Sequence, residues 1–138
     1  MAYVSLEEEL FRVDGETATL LGSHCPACQR SFFPRRRRCA VDFTDTDEVE
    51  LSREGTLYTY TYVRVPFFGK RQVEAEGGYG VGQVDLPEGV RIQTVLQGEP
   101  TDWRIGMPMR IELEVIGEDE GDDVVIFRFG ASKEAANA

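Results

Sequence analysis

Two short pairs of potential metal donors, Cys25-Pro26-Ala27-Cys28 and Cys39-Ala40-Val41-Asp42, stand ten residues apart and enclose the most basic stretch of the chain. In each pair the donors fall at positions i and i+3, a spacing at which one tight turn can aim both at the same ion. Two such turns supply the four donors of tetrahedral zinc, which is the architecture of a zinc ribbon. Thiolates and carboxylates both ligate zinc, so Asp42 can take the fourth corner. The alternative is that Asp42 is only a turn residue, leaving a degenerate site that holds zinc weakly or with water in the last position. His24 is a rival ligand, disfavoured because it adjoins Cys25 and successive residues rarely point at one ion. The segment from Cys25 to Asp42 has little apolar periodicity and cannot build a core, so something else must order it. A structural zinc ion, contributing on the order of 10 kcal/mol, is enough. A catalytic zinc would instead need an acid or base in a sheltered cleft, which an arginine-rich loop does not offer. A rubredoxin-type iron site would take four thiolates, and only three are present.

Three cysteines crowded between positions 25 and 39 also suit metal ligation in a reducing compartment better than a disulfide framework. The 138 residues allow one modest core with a small accessory piece. A formal charge of −10, from 25 acidic and 15 basic side chains, predicts repulsion from phosphate backbones and anionic lipid and so argues against nucleic acid as a partner. No apolar run approaches the roughly 20 residues of a membrane span, and Met1 to Leu10 lacks the basic-then-apolar order of a signal peptide. A cytoplasmic protein with no membrane partner is expected.

Along the chain, Val4, Leu6, Leu10 and Phe11 fall near helical spacing around an acidic face, which predicts a short N-terminal helix over 3–11 with Ser5 as its cap. Asp14-Gly15 signals a turn, and Thr17 to Leu21 a strand leading into the first cysteine pair. From Val49 the pattern becomes alternating β-branched and aromatic residues, predicting strands over 55–65, 79–86, 90–97, 107–116 and 124–130, with Met107, Met109, Ile111, Leu113 and Val115 on one buried face of the fourth. Leu86-Pro87-Glu88-Gly89-Val90 reads as a tight hairpin connection, Gly117 to Asp123 as a solvated acidic turn, and Gly77 to Gly82 as flexible barrel turns. Five strands with no crossover helix predict a mainly β chain built on an OB-like Greek-key barrel rather than a sandwich. The expected division is 1–47 for the helix and ribbon, 48–130 for the barrel and 131–138 for a frayed tail.

At this point the chain resembles a known family, the DUF35 proteins, formed by a rubredoxin-like zinc ribbon followed by an OB-fold. The matching residues are Leu20-Leu21-Gly22-Ser23-His24-Cys25-Pro26-Ala27-Cys28, Phe33-Pro34-Arg35 before Cys39, the run Gly80 to Arg91, and Ile105-Gly106-Met107-Pro108-Met109. Asp42 departs from the pattern, which carries a fourth cysteine there. The resemblance implies a non-catalytic accessory subunit that partners a thiolase-fold enzyme, or an acyl-CoA hydratase or aldolase, and helps to form the acyl-CoA site. Within the family the chain is most similar to the zinc-ribbon subunits of degradative thiolases, of the kind used in anaerobic aromatic breakdown.

Other residues remain open between two readings. Arg35, Arg36, Arg37 and Arg38, with Arg30 nearby, suit recognition of a CoA phosphate or of an acidic patch on a partner, or form a solvated loop. Phe67 and Phe68 are interface anchors or tuck over the barrel end. Tyr58, Tyr60 and Tyr62 share one predicted strand face, opposite Leu57, Thr59, Thr61 and Val63. That row either stacks bases, the mark of a stand-alone nucleic-acid-binding OB module, or is a half-buried packing face. Trp103 reads as a core or lid aromatic. With a single histidine beside the metal pair, no Ser-His-Asp or Cys-His set can be proposed.

Overall fold

The computed structural model describes residues 3–64 and 78–132; Phe67, Phe68 and the tail beyond Ser132 lie outside them. The order of elements is β1 (Tyr3–Ser5), β2 (Phe11–Asp14), β3 (Thr17–His24), β4 (Ser31–Phe32), β5 (Asp47–Glu50), β6 (Glu54–Val63), β7 (Tyr79–Asp85), β8 (Arg91–Leu96), a 3₁₀ turn (Pro100–Asp102), β9 (Pro108–Asp119) and β10 (Asp122–Ala131). No helix among the described residues is long and apolar enough to cross a membrane.

β6 to β10 close on themselves in the order β6-β7-β8-β10-β9, with β9 returning to β6. The pairings are antiparallel except β8 with β10, where Leu96 meets Phe129 in parallel. This is the OB-like closed barrel, and closure leaves its five strands no free edge among themselves. The connection at 86–90 is the expected tight turn: the Leu86 and Gly89 amides donate to the Val90 and Leu86 carbonyls, and Gly89 takes φ 86°.

The predicted helix over 3–11 is not formed. β1 pairs in parallel with β10, the Leu6 amide donates to the Val125 carbonyl, and β2 pairs with β3. Only one helical turn survives, closed by Phe11 N–H to the Glu7 carbonyl. Strand partners for the backbone, and full burial of Phe11 against the barrel, outweigh a weak local helical pattern.

A second difference concerns the tyrosine row. Leu57 pairs with Val84 but Thr59 pairs with Gln83, so Tyr58 is an extra residue at a bulge and the alternation reverses after it. Leu57 points into the core, and Tyr60 and Tyr62 pack on it further along. Tyr58 is left exposed outside, with the Arg91 guanidinium 3.4 Å from its ring centroid. The three tyrosines therefore do not share a face. Tyr60 and Tyr62 lie 5.5 and 6.3 Å from the buried Trp103 ring, whose indole N–H donates to the Gln97 carbonyl.

Gly80 and Gly82 are buried inside β7, in the strand expected from residue 79, and not in the flexible turns that the glycine run also suggested. The acidic segment from Gly117 to Asp123 is also mostly strand. β9 and β10 run to a two-residue turn, Glu120-Gly121, both at positive φ as a tight hairpin demands. Met107, Met109 and Ile111 are buried as the alternation predicts, whereas Val115 lies on the part of the hairpin where it is half exposed.

One core joins the N-terminal strands to the barrel: Phe11, Ala18 and Leu20 are contiguous with Leu57, Ile92, Met109 and Phe129. Phe127 is the hinge of that contact, its ring edge-on to Phe11 at 5.6 Å and to Phe33 at 6.2 Å. Around the rim Arg53 reaches Asp14 and Thr19, and hydrogen bonds from Arg12 and Thr19 hold the Asp14 carboxyl down to about 2.

A Cβ on Gly80 would stand 2.1 Å from the Trp103 ring, so Gly80→Ala must displace the indole. It is expected to cost about 1–3 kcal/mol in denaturant unfolding. Because Trp103 is the one tryptophan, its fluorescence should shift in the folded variant. An unchanged spectrum and midpoint would show that the ring is not seated on Gly80.

Candidate metal centre

β3 is the spine of the ribbon. Its last residues pair with β4 on one side (Ser23 with Phe32, His24 with Ser31) and with β5 on the other (Leu21 with Glu50 through His24 with Asp47). The strand thereby delivers Cys25 at its end, fully buried, directly into the first turn.

The two turns are built alike. In the first, the Cys25 amide donates to the Arg30 carbonyl, the Gln29 amide donates to the Cys25 carbonyl, and Gln29 takes φ 63°. In the second, the Cys39 amide donates to the Thr44 carbonyl, the Phe43 amide to the Cys39 carbonyl, and Phe43 takes φ 62°. The leading sulfur of each accepts a backbone N–H, from Cys28 at 3.4 Å and from Val41 at 3.3 Å. In this repeat Asp42 occupies the place that Cys28 has in the first turn.

The donor atoms of Cys25, Cys28, Cys39 and Asp42 all lie within 4.8 Å of one another. Cys28 Sγ is 3.5 Å from Cys39 Sγ, and Cys25 Sγ is 3.6 and 3.7 Å from the two Asp42 oxygens. Zinc–sulfur bonds of about 2.3 Å at a tetrahedral angle put two sulfurs about 3.8 Å apart, so the set has the size zinc requires. Its electrostatics suit a cation as well. The Thr44 amide donates to Asp42 at 2.9 Å, and Thr44 holds that carboxyl below its usual range. Burial raises the Cys28 thiol; burial also opposes the Cys39 thiolate, but amides of Asp42 and Val41 turn its net shift downward. Zinc bound there would supply the cross-links that the segment lacks in apolar side chains. His24 stays apart from the cluster: its ring nitrogens lie 3.1 Å from Ser31 Oγ and 3.1 Å from Gln29 Oε1.

The arginine run is not a uniform cationic surface. Arg35 pairs with Glu48 and donates to the Glu9 carbonyl. Arg36 lies over the Phe32 ring and donates to the Arg38 carbonyl, and Arg38 faces Asp45 at 3.8 Å. Only the Arg37 guanidinium of these four has no protein partner among the described residues. A shallow groove of about 370 Å³ runs along the loop, lined by Leu10, Ser23, Arg35, Arg36, Arg37 and also Glu9 and Glu48, so its charge is mixed. Ser23 was not legible as a site residue. Its buried hydroxyl accepts the Arg36 amide at 2.8 Å and donates to the Arg36 carbonyl at 3.0 Å, fastening the loop to β3. The likeness of the second turn to the first has no signal in the residue types, since Gln29 and Phe43 are unlike, and shows only in the backbone hydrogen bonds and φ values.

Two family models match the chain, "ChsH2, rubredoxin-like zinc ribbon domain" over residues 18–48 and "ChsH2, C-terminal OB-fold domain" over residues 48–114. A DUF35 domain-containing scaffold protein of Methanocaldococcus jannaschii is 31% identical over 117 residues, covering 83% of this chain and 81% of the relative. The chain belongs to the ChsH2/DUF35 family. A second relative, the benzoylsuccinyl-CoA thiolase subunit BbsA of Thauera aromatica, is 28% identical over 84% of this chain and 78% of its own length. Among solved structures, a chain of the Ltp2-ChsH2(DUF35) aldolase superposes with a TM-score of 0.57 at 30% identity, over 80% of this chain and 84% of that one. The two matched stretches cover the ribbon and the barrel as far as residue 114, and the donor cluster lies inside the stretch matched as a zinc ribbon.

Purified protein is expected to carry about one zinc per chain by elemental analysis, and Cys28→Ala to lose it together with the order of the ribbon. Asp42→Ala should weaken retention against a chelator, Asp42→Cys should strengthen it, and His24→Ala should leave it unchanged. Zinc retained by Asp42→Ala but lost by His24→Ala would reverse the ligand assignment.

Proposed function

We propose that this chain is a non-catalytic, cytoplasmic accessory subunit of a thiolase-type acyl-CoA acyltransferase, supporting assembly of the complex and binding of the acyl-CoA. In this reading one structural zinc sits on Cys25, Cys28, Cys39 and Asp42. The observation that carries it is the match to a relative named as a thiolase subunit over 84% of this chain, ribbon and barrel together. The architecture supports it, because a loop held between two converging donor pairs presents Arg37 with no partner among the described residues. A guanidinium held that way meets a CoA phosphate or a partner's carboxylate at a reduced ordering cost. The narrower reading, a benzoylsuccinyl-CoA thiolase of anaerobic aromatic degradation, rests on that one relative's name.

A second reading, an accessory subunit of an acyl-CoA aldolase or hydratase, is favoured by the similarity to the Ltp2-ChsH2(DUF35) aldolase chain. Purification of the tagged chain from its native cell, with mass spectrometry of what accompanies it, separates the two. A thiolase-fold subunit supports the first reading and an aldolase or hydratase subunit the second. Recovery of the chain alone, with salt-sensitive binding to single strands, would sink both.

Arg37→Glu should leave zinc content and melting of the isolated subunit nearly unchanged, because exposed charges contribute little to stability. Assembly with the enzyme subunit, or the apparent affinity for acyl-CoA, is expected to fall, and to fall less when salt already screens the wild type. If assembly and turnover both survive, the arginine run is a solvated loop.

A further inference from the structure

The two metal turns share a backbone but not a surface. At the positions two and four residues after the leading cysteine, the first carries Ala27 and Gln29 and the second carries Val41 and Phe43. Gln29 puts its side chain to structural use, its amide nitrogen donating to the Pro26 carbonyl at 2.8 Å. Val41 and Phe43 are 60% and 72% exposed, on either side of Asp42. The left-handed φ of 62° at Phe43 is what the turn requires, since Gln29 has 63° at the matching place. The aromatic is not required. A bulky side chain at left-handed φ is costly, and a solvated phenyl ring adds nothing to offset that cost in the isolated chain. An outlier of that kind, held rigidly by a hydrogen-bonded turn, points to a contact outside the molecule.

The surroundings specify the partner's chemistry. The crest rises from the rung where Arg38 bridges Asp45, and Arg37, one rung below, is the arginine of its run with no partner among the described residues. Asp42 and Asp45 flank the crest, so its charge is mixed, and Arg37 is the cation left to meet an acidic group on a partner. We infer that Val41 and Phe43 are the anchor by which this subunit docks into an apolar pocket, with a carboxylate beside it for Arg37, on the acyl-CoA enzyme subunit it accompanies. The inference rests on the accessory-subunit reading. It adds a residue-level interface on the second metal turn, with rigid presentation lowering the ordering cost of association.

Phe43→Gln copies the side chain that the first turn already accommodates, and Phe43→Gly removes both the ring and the Cβ that disfavours left-handed φ. Both variants should retain zinc, and the melting temperature of the isolated subunit should stay or, for Phe43→Gly, rise. Affinity for the enzyme subunit identified by co-purification should fall at least about tenfold, the loss typical of a buried aromatic anchor. Wild-type-like affinity in both variants, with the enzyme subunit still recovered, overturns the anchor while leaving the accessory reading intact. Loss of zinc or early melting in both variants would make Phe43 a structural residue and overturn it too. A wild-type chain that self-associates, and that Phe43→Gln converts to monomer without affecting the enzyme subunit, assigns the crest to a second copy and overturns the proposed partner. If no enzyme subunit accompanies the wild type, the accessory reading and the anchor fall together.

Discussion

Residues 25–46 have almost nothing to bury, and that constraint shapes everything around them. Cys25 and Cys39 are the only fully buried side chains of this stretch, with Phe33 partly buried against the core, so most of its order must come from convergence of donor atoms. Two hydrogen-bonded turns of the same design bring four donors to one place, and the strand β3 fixes where that place is. Without convergence the arginine loop would keep its two bonds to the Ser23 hydroxyl and a few surface ion pairs, which are weak.

The rest of the chain is organised to hold that spine. β3 donates its first half to β2 and its second half to β4 and β5, while Leu20 and Ala18 reach into the same core that fills the barrel. Phe127, on a barrel strand, touches one aromatic from the N-terminal hairpin and one from the ribbon. The direction in which the metal turns face is thereby set by barrel packing. A ribbon joined through a shared core, instead of a flexible linker, presents its outer turn in a fixed orientation, which lowers the entropy lost on meeting a partner.

The acidic balance of the chain acts on a different level. It does not decide the fold, but it makes the short basic run the exception on the surface, and the structure divides that run by internal pairing. Arg35 and Arg38 are matched to Glu48 and Asp45, Arg36 lies against Phe32, and Arg37 has no partner among the described residues. The sequence shows four equivalent arginines; the fold makes them unequal because strand partners bring different side chains to each.

The donor pairs, the five barrel strands, the 86–90 turn and the buried face of Met107, Met109 and Ile111 were legible in the sequence, since each rests on local spacing that the tertiary structure had only to satisfy. Three features were not. The segment 3–11 became two strand ends around a single turn because a partner on β10 and a place in the core for Phe11 outweigh a marginal helical pattern, and neither partner is near in sequence. The tyrosine row was split because one bulged residue at Tyr58 reverses side-chain parity, and a bulge is defined by what stands opposite it. The likeness of the two metal turns, and with it the exposure of Phe43, emerged only when backbone hydrogen bonds and φ values could be laid side by side. Spacing along one chain specifies which donors can converge and which faces can be buried; which surface remains uncovered is decided by every other element that packs around them.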